Sequence, residues 1–175
     1  MGRMTIGYGE LEIHFVSCAG YAFGNLDFVL RTSYAIKGEA NRVKLANTMA
    51  GASYRELGLG NEYSDIYGIV KFCKQVRNQF AHSQFGDGED GEVIFANIDD
   101  DATFSGGRFT PQWKKLTREL LREQEAYFRY AREFLLWIEG EVRNRRDRAA
   151  GNKRPYPSLH KKPARTQRPL LHTDL

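Results

Sequence analysis

Residues 61–82 read NEYSDIYGIVKFCKQVRNQFAH, and they predict the central helix of the fold. Their apolar side chains recur every three or four positions, the period of an α-helix with one buried face. These side chains are Ile66, Ile69, Val70, Cys73, Val76 and Phe80. Asn61 is a good N-cap, and acidic residues follow it in the first turn. The pattern therefore predicts a helix that begins after Asn61 and ends near a group of polar residues.

Three polar side chains make up that group: Arg77, Asn78 and His82. Asn78 and His82 are four residues apart and so lie one turn apart on one face, while Arg77 is about 100° further round the helix. A guanidinium can bind phosphate with its planar fork, and an imidazole can transfer a proton near neutral pH. The dipole at the C-terminal end of a helix stabilises a charged imidazole, which suits a general acid. This combination indicates phosphate chemistry, and most naturally RNA chemistry.

RNA carries its own nucleophile, the 2′-hydroxyl group, so a catalyst needs only to move protons and to stabilise charge. We expect His82 to transfer the proton, Arg77 to stabilise the phosphate and Asn78 to orient its partners by hydrogen bonding. This chemistry requires no cofactor and no metal ion. Gln79 and residues of the insertion at 84–110 stay open as further members of the site. A solvated helix end with His82 as a cap is the alternative interpretation.

The remaining helices follow from the same periodicity. Residues 9–37 and 39–50 each show the helical period and end at a glycine, and 51–61 form a glycine-rich connection. Thr110–Pro111 predicts the start of a long fourth helix, with Thr as the N-cap and Pro as the first helical residue. We therefore predict an all-α fold, a helical up-and-down bundle of four main helices.

Two segments depart from this pattern. The β-prone run at 93–98, together with residues 103–109 around a Gly-Gly pair, predicts a small β-hairpin insertion. From residue 147 onward, basic residues and prolines replace the apolar period, so 147–175 is expected to be a disordered basic tail. The predicted organisation is a helical domain over 1–146 followed by that tail.

The net charge of +4 is concentrated near the C-terminal end. Ten Lys or Arg and three acidic residues lie from residue 141 onward, which gives +7 there and −3 for residues 1–140. The basic tail is consistent with nonspecific RNA binding or with solubility alone. Cys18 and Cys73 lack metal-ligand spacing and are expected to be buried, reduced thiols. No signal-peptide pattern and no run of roughly 20 apolar residues is present, so we expect a cytoplasmic protein without a membrane span.

Residues 76–82, VRNQFAH, resemble the Arg-Asn-x-x-x-His motif of the HEPN superfamily, whose all-helical bundles carry it on their third helix. The layout is similar as well: two helices, a motif helix, an interruption and a long closing helix, over roughly residues 9–145. The resemblance implies a metal-independent endoribonuclease with Arg77, Asn78 and His82 as its catalytic residues. It also implies a homodimer in which two motif helices face each other across a cleft.

The family further implies a biological setting. Many of its ribonucleases are toxins of toxin–antitoxin or phage-defence systems, restrained by an antitoxin that is frequently nucleotidyltransferase-like. Attack by the 2′-hydroxyl would leave a 2′,3′-cyclic phosphate and a 5′-hydroxyl. Other members are non-catalytic modules that bind RNA or a protein, and this is the first alternative. A small transcriptional regulator that uses the basic tail on DNA is the second.

Overall fold

The computed structural model describes residues 1–88, 92–97, 111–151 and 161–174. Of these residues, 70% lie in five α-helices, and the strands form a small antiparallel sheet. The helices are α1 (Gly2–Phe23), α2 (Leu26–Ala35), α3 (Glu39–Glu56), α4 (Gly60–Ala81) and α5 (Arg118–Ala149). The strands are β1 (Ser83–Asp87), β2 (Val93–Asn97), β3 (Lys114–Leu116) and β4 (Thr173–Asp174), in the order β1-β2-β3-β4. The mostly helical fold is confirmed, with five helices rather than four in the described part.

The predicted first helix, 9–37, is in fact two helices. The chain leaves α1 at Gly24, whose φ of +91° is a left-handed conformation that favours glycine. Asn25 then caps α2, because its side chain accepts a hydrogen bond of 3.0 Å from the backbone N–H of Phe28. The Gly-Asn pair was the local signal for this break, and the apolar period that continues across it concealed that signal.

Helix α3 continues through the glycine at which its end was predicted. The expected helix was 39–50, but Gly51 lies inside α3 and the helix extends to Glu56. The chain turns instead at Gly58, which has a φ of +68°. The predicted connection is thereby reduced to residues 57–59. Helix α4 begins at Gly60, so Asn61 lies inside the helix and the prediction that it is the N-cap is wrong.

A four-stranded sheet occupies the place of the predicted hairpin. The β-prone run is β2, as predicted, and it pairs with β1 on one side and β3 on the other. Phe85 lies opposite Phe95 in the first pair, and Val93 lies opposite Leu116 in the second. The predicted strand residues 103–109 lie outside the described part of the chain.

Helix α5 begins later than predicted. The sequence placed its start at Thr110–Pro111, but residues 114–116 form β3 and the helix begins directly after Thr117. The Thr117 hydroxyl oxygen accepts a hydrogen bond of 3.1 Å from the backbone N–H of Leu120 and so acts as the N-cap. The strand pairing of β2 with β3 is thus favoured over the helix start that Pro111 predicted.

The tail, predicted to be disordered, makes defined contacts over residues 161–174. Thr173–Asp174 form β4 and pair with β3. Lys162 places its ammonium nitrogen 3.1 Å from a carboxylate oxygen of Glu62 and 5.0 Å from the ring centroid of Trp137. A strand is held by backbone hydrogen bonds, which a basic, proline-containing composition does not prevent.

The chain divides into two compact units. The sheet unit comprises Met1–Tyr8, Phe72–Phe128 and Thr166–Leu175, and the helical unit comprises Gly9–Lys71 and Arg129–Arg165. The sheet unit contains all four strands and the polar residues at the end of α4. Among the described residues, none of the helices combines the length and the apolar composition that crossing a bilayer requires.

Aromatic packing dominates the core of the helical unit. Tyr54 stacks on Tyr63 with 3.9 Å between ring centroids, and its hydroxyl donates a hydrogen bond of 3.1 Å to the carbonyl of Cys18. Cys18 and, in the sheet unit, Cys73 are buried free thiols, as predicted. Burial raises the pKa of both thiols above the ordinary cysteine range.

Candidate active site

The predicted site residues lie at the C-terminal end of α4. Arg77 donates a hydrogen bond of 3.0 Å from Nη1 to Oδ1 of Asn78, and both side chains are half-buried. His82 directly follows the last helical residue and is exposed. Its backbone N–H donates to the carbonyl of Asn78 at 3.2 Å, which continues the helical bonding pattern by one residue. His82 therefore lies one turn beyond Asn78, as the four-residue spacing predicted.

Asn78 and His82 line one open cavity of about 410 Å³. Its walls come from α4, β2, β3 and the segment that leads into β4. The lining residues are Gln75, Asn78, Gln79, His82, Phe95, Asn97, Lys114, Leu171 and His172. All of them belong to the sheet unit, and within the described ranges no acidic side chain is among them. A cavity with a lysine and without acids favours an anionic ligand.

Arg77 does not line this cavity. Its guanidinium instead binds the amide oxygen of Asn78. Because that oxygen is engaged, the orientation of the Asn78 amide is fixed and its NH₂ group is the part available to a ligand. The described contact of Arg77 at this site is therefore with Asn78.

Gln79 and the insertion, which the sequence left open, contribute to the cavity. Gln79 is only 7% exposed, and its buried Nε2 donates no hydrogen bond to any described residue. Leaving such a donor unsatisfied costs roughly 1–3 kcal/mol, so an acceptor on a bound ligand would restore a favourable contact. Phe95 and Asn97 of β2 bring the insertion into the same wall.

Gln75 of α4 lines the cavity although it was not predicted, and so do three residues outside that helix: Lys114, Leu171 and His172. The sequence placed Lys114 inside the predicted fourth helix, whereas it lies in β3, a strand too short to show a period. The other two lie in the tail that composition indicated to be disordered. The short run Leu171-His172-Thr173 contains apolar and β-branched residues, which are typical of a strand. It does not indicate which strand it pairs with.

A second cluster, in the helical unit, has the composition of a metal site. The potential ligand atoms of His14, Cys18 and Glu139 all lie within 4.8 Å of one another. One Glu139 oxygen, however, lies 2.8 Å from Nε2 of His14 and the other lies 2.5 Å from a guanidinium nitrogen of Arg143. The Cys18 thiol donates to the carbonyl of Leu135 at 3.6 Å. These contacts already satisfy the cluster, which we therefore interpret as a structural ion-pair network.

Comparison with known proteins adds no relative. No family model, no curated protein and no solved structure matches the chain.

Proposed function

We propose that the chain is a metal-independent endoribonuclease of the HEPN type that cleaves RNA in the cavity lined by His82. The observation that carries the proposal is that His82 and Asn78 share one open cavity with Lys114 and with no acidic side chain of the described residues. Its volume of about 410 Å³ falls in the usual range of roughly 300–1,000 Å³ for ligand sites.

In the proposed reaction the 2′-hydroxyl of RNA loses its proton to a base, and its oxygen attacks the adjacent phosphorus. His82 protonates the departing 5′-oxygen, a step that a positioned imidazole can perform near neutral pH. Asn78, held by Arg77, donates a hydrogen bond to a phosphate oxygen. The products are a 2′,3′-cyclic phosphate and a 5′-hydroxyl.

The resemblance to HEPN proteins supports further parts of the proposal. The fold is an up-and-down helical bundle, and the protein forms a homodimer. It acts in the cytoplasm as a toxin of a toxin–antitoxin or phage-defence system. The proposal also includes an antitoxin partner of the nucleotidyltransferase-like kind. Lys162 of the tail contacts Glu62 and is therefore not part of a free basic arm. This contact does not favour the alternative of a transcriptional regulator that binds DNA with its tail.

The test is cleavage of total RNA by purified protein in EDTA, read by labelling the new 5′-hydroxyl ends. We expect the wild type to cleave and His82→Ala to lose about 10²–10⁴-fold, the usual contribution of a proton-transfer group. Gln84→Ala, two residues further along the chain and exposed, is the matched control and should cleave normally. Absence of cleavage by folded wild type across several RNA classes would reject the nuclease and favour the non-catalytic binding module.

The role of Arg77 has its own readout. If it acts through Asn78, the double variant Arg77→Ala/Asn78→Ala should cleave no more slowly than Asn78→Ala alone, because coupled residues are non-additive. Lys71→Ala, an exposed charge on the same helix, should leave cleavage unchanged and should combine additively with Asn78→Ala. Additive losses for Arg77 would instead indicate a direct contact between its guanidinium and the substrate.

A further inference from the structure

The segment that leads into β4 is fixed on both sides of His172. Before it, Nε2 of Gln124 donates hydrogen bonds of 2.9 Å to the carbonyls of Leu170 and Leu171. After it, Thr173 pairs with β3, and its hydroxyl donates a bond of 3.2 Å to a carbonyl of that strand. Gln124 is fully buried, so the anchor is part of the core. His172 is thus held in position before any ligand arrives.

His172 faces the same cavity as His82. Its ring packs edge-on against Phe95, with 6.2 Å between ring centroids and an interplanar angle of 66°. Nδ1 of His172 is buried, and the His172 side chain is part of the cavity wall. Two imidazoles, one from the end of α4 and one from the C-terminal segment, therefore line one site.

Lys114 adds a cation to that site. Successive residues of a strand point to opposite faces, and the two lysines of β3 follow this rule. Lys114 lines the cavity, whereas Lys115 binds Glu92 with 2.5 Å between the charged atoms. The two neighbouring lysines therefore serve as a site residue and a matched control.

We propose that His172 is the general base and Lys114 the phosphate-binding cation of the reaction in which His82 is the general acid. The inference rests on the proposed nuclease function and deepens it. The proposed function already gives His82 the protonation of the 5′-oxygen, and His172 is the second imidazole that lines the cavity, so His172 is assigned the base. In the step, His172 takes the 2′-hydroxyl proton as the oxygen bonds to phosphorus. The bond from phosphorus to the 5′-oxygen breaks, His82 gives that oxygen a proton, and Lys114 neutralises the non-bridging oxygens.

The roles can be separated with a substrate in which sulfur replaces the 5′-bridging oxygen. A thiolate leaves without being protonated, so loss of the general acid no longer matters, whereas loss of the base still does. With ordinary RNA, His82→Ala and His172→Ala should each lose about 10²–10⁴-fold. With the 5′-thio substrate, His82→Ala should recover to within about tenfold of wild type, and His172→Ala should stay low.

Matched variants guard against unfolding. His172→Asn keeps a polar side chain at that position and should be as inactive as His172→Ala, while Leu170→Ala, at a residue that is 64% exposed, should be active. Lys114→Ala should lose about 10²–10³-fold and Lys114→Arg should recover most of it, whereas Lys115→Ala should leave cleavage unchanged. Circular dichroism of each variant should match the wild type.

The outcomes distinguish the two proposals. If wild type cleaves and His82→Ala does not, but both His172 variants remain active, the two-histidine inference fails and the nuclease stands. If the 5′-thio substrate rescues His172→Ala rather than His82→Ala, the assignment of acid and base is overturned. If the wild type cleaves neither substrate, the proposed nuclease function is rejected, and the two-histidine inference is rejected as well.

Discussion

Replacing Gln124 with methionine should release the segment that carries His172. The side chains are similar in size, but methionine cannot donate the two hydrogen bonds to Leu170 and Leu171. Each bond contributes about 0.5–1.5 kcal/mol net, so the pair contributes about 1–3 kcal/mol. The amide also has a buried Oε1 that accepts no hydrogen bond from the described residues, a cost that methionine removes. The expected net loss is therefore about 1–2 kcal/mol.

This loss should appear as local opening of the segment. Since about 1.4 kcal/mol corresponds to a factor of ten, the opening equilibrium should increase about 5- to 30-fold. Native-state hydrogen exchange of the backbone amides at 171–174 measures this equilibrium directly. RNA cleavage should fall as well, because His172 would spend less time in the cavity.

Gln167→Met is the control, since it makes the same substitution at an exposed residue of the same segment. It should leave exchange at 171–174 unchanged. Exchange in Gln124→Met that stays within about twofold of wild type would refute the idea that these two bonds hold the segment. The anchoring of His172 would then have to come from β4 alone.

Three other perturbations test the core, the thiols and the site. Tyr54→Phe removes the hydrogen bond to the Cys18 carbonyl and should lower the free energy of unfolding by about 1–2 kcal/mol; an unchanged urea midpoint would contradict this. Unfolded cysteine thiols ionise at about pH 8.5. Burial raises the pKa of Cys18 and Cys73, so these thiols stay protonated at that pH in the folded protein. The free energy of unfolding should therefore fall as pH rises above that value, and a thiol reagent should label only unfolded protein. Mixing inactive His82→Ala with inactive His172→Ala should restore no cleavage, and recovery would mean that two copies share one site.

The sequence predicted best where local signals agreed. The apolar period and the polar end of α4 both pointed to one helix, and the structure places Asn78 and His82 one turn apart as expected. It predicted less well where two local signals competed. The Thr110–Pro111 signal for a helix start competed with the strand pairing of Val93 with Leu116, and α5 begins after Thr117 instead.

Other residues of the site could not be found locally at all. His172 reaches the cavity because Gln124, far away in sequence, binds the residues that precede it. Nothing in the composition of a basic, proline-containing tail indicates such a partner. Lys114 likewise becomes a site residue only when the register of β3 decides which of its two lysines faces the cavity.

The pairing of β3 with β4 has a consequence for how the protein is made. Lys115 and Thr173 are 58 residues apart, so the last strand leaves the ribosome well after its partner. At roughly 5–20 residues per second, β4 is translated about 3–12 s after β3. During that interval the nascent chain contains the imidazole of α4 but not the wall that completes its cavity. The cavity beside α4 therefore takes its final form only after the residues that carry His172 have been translated.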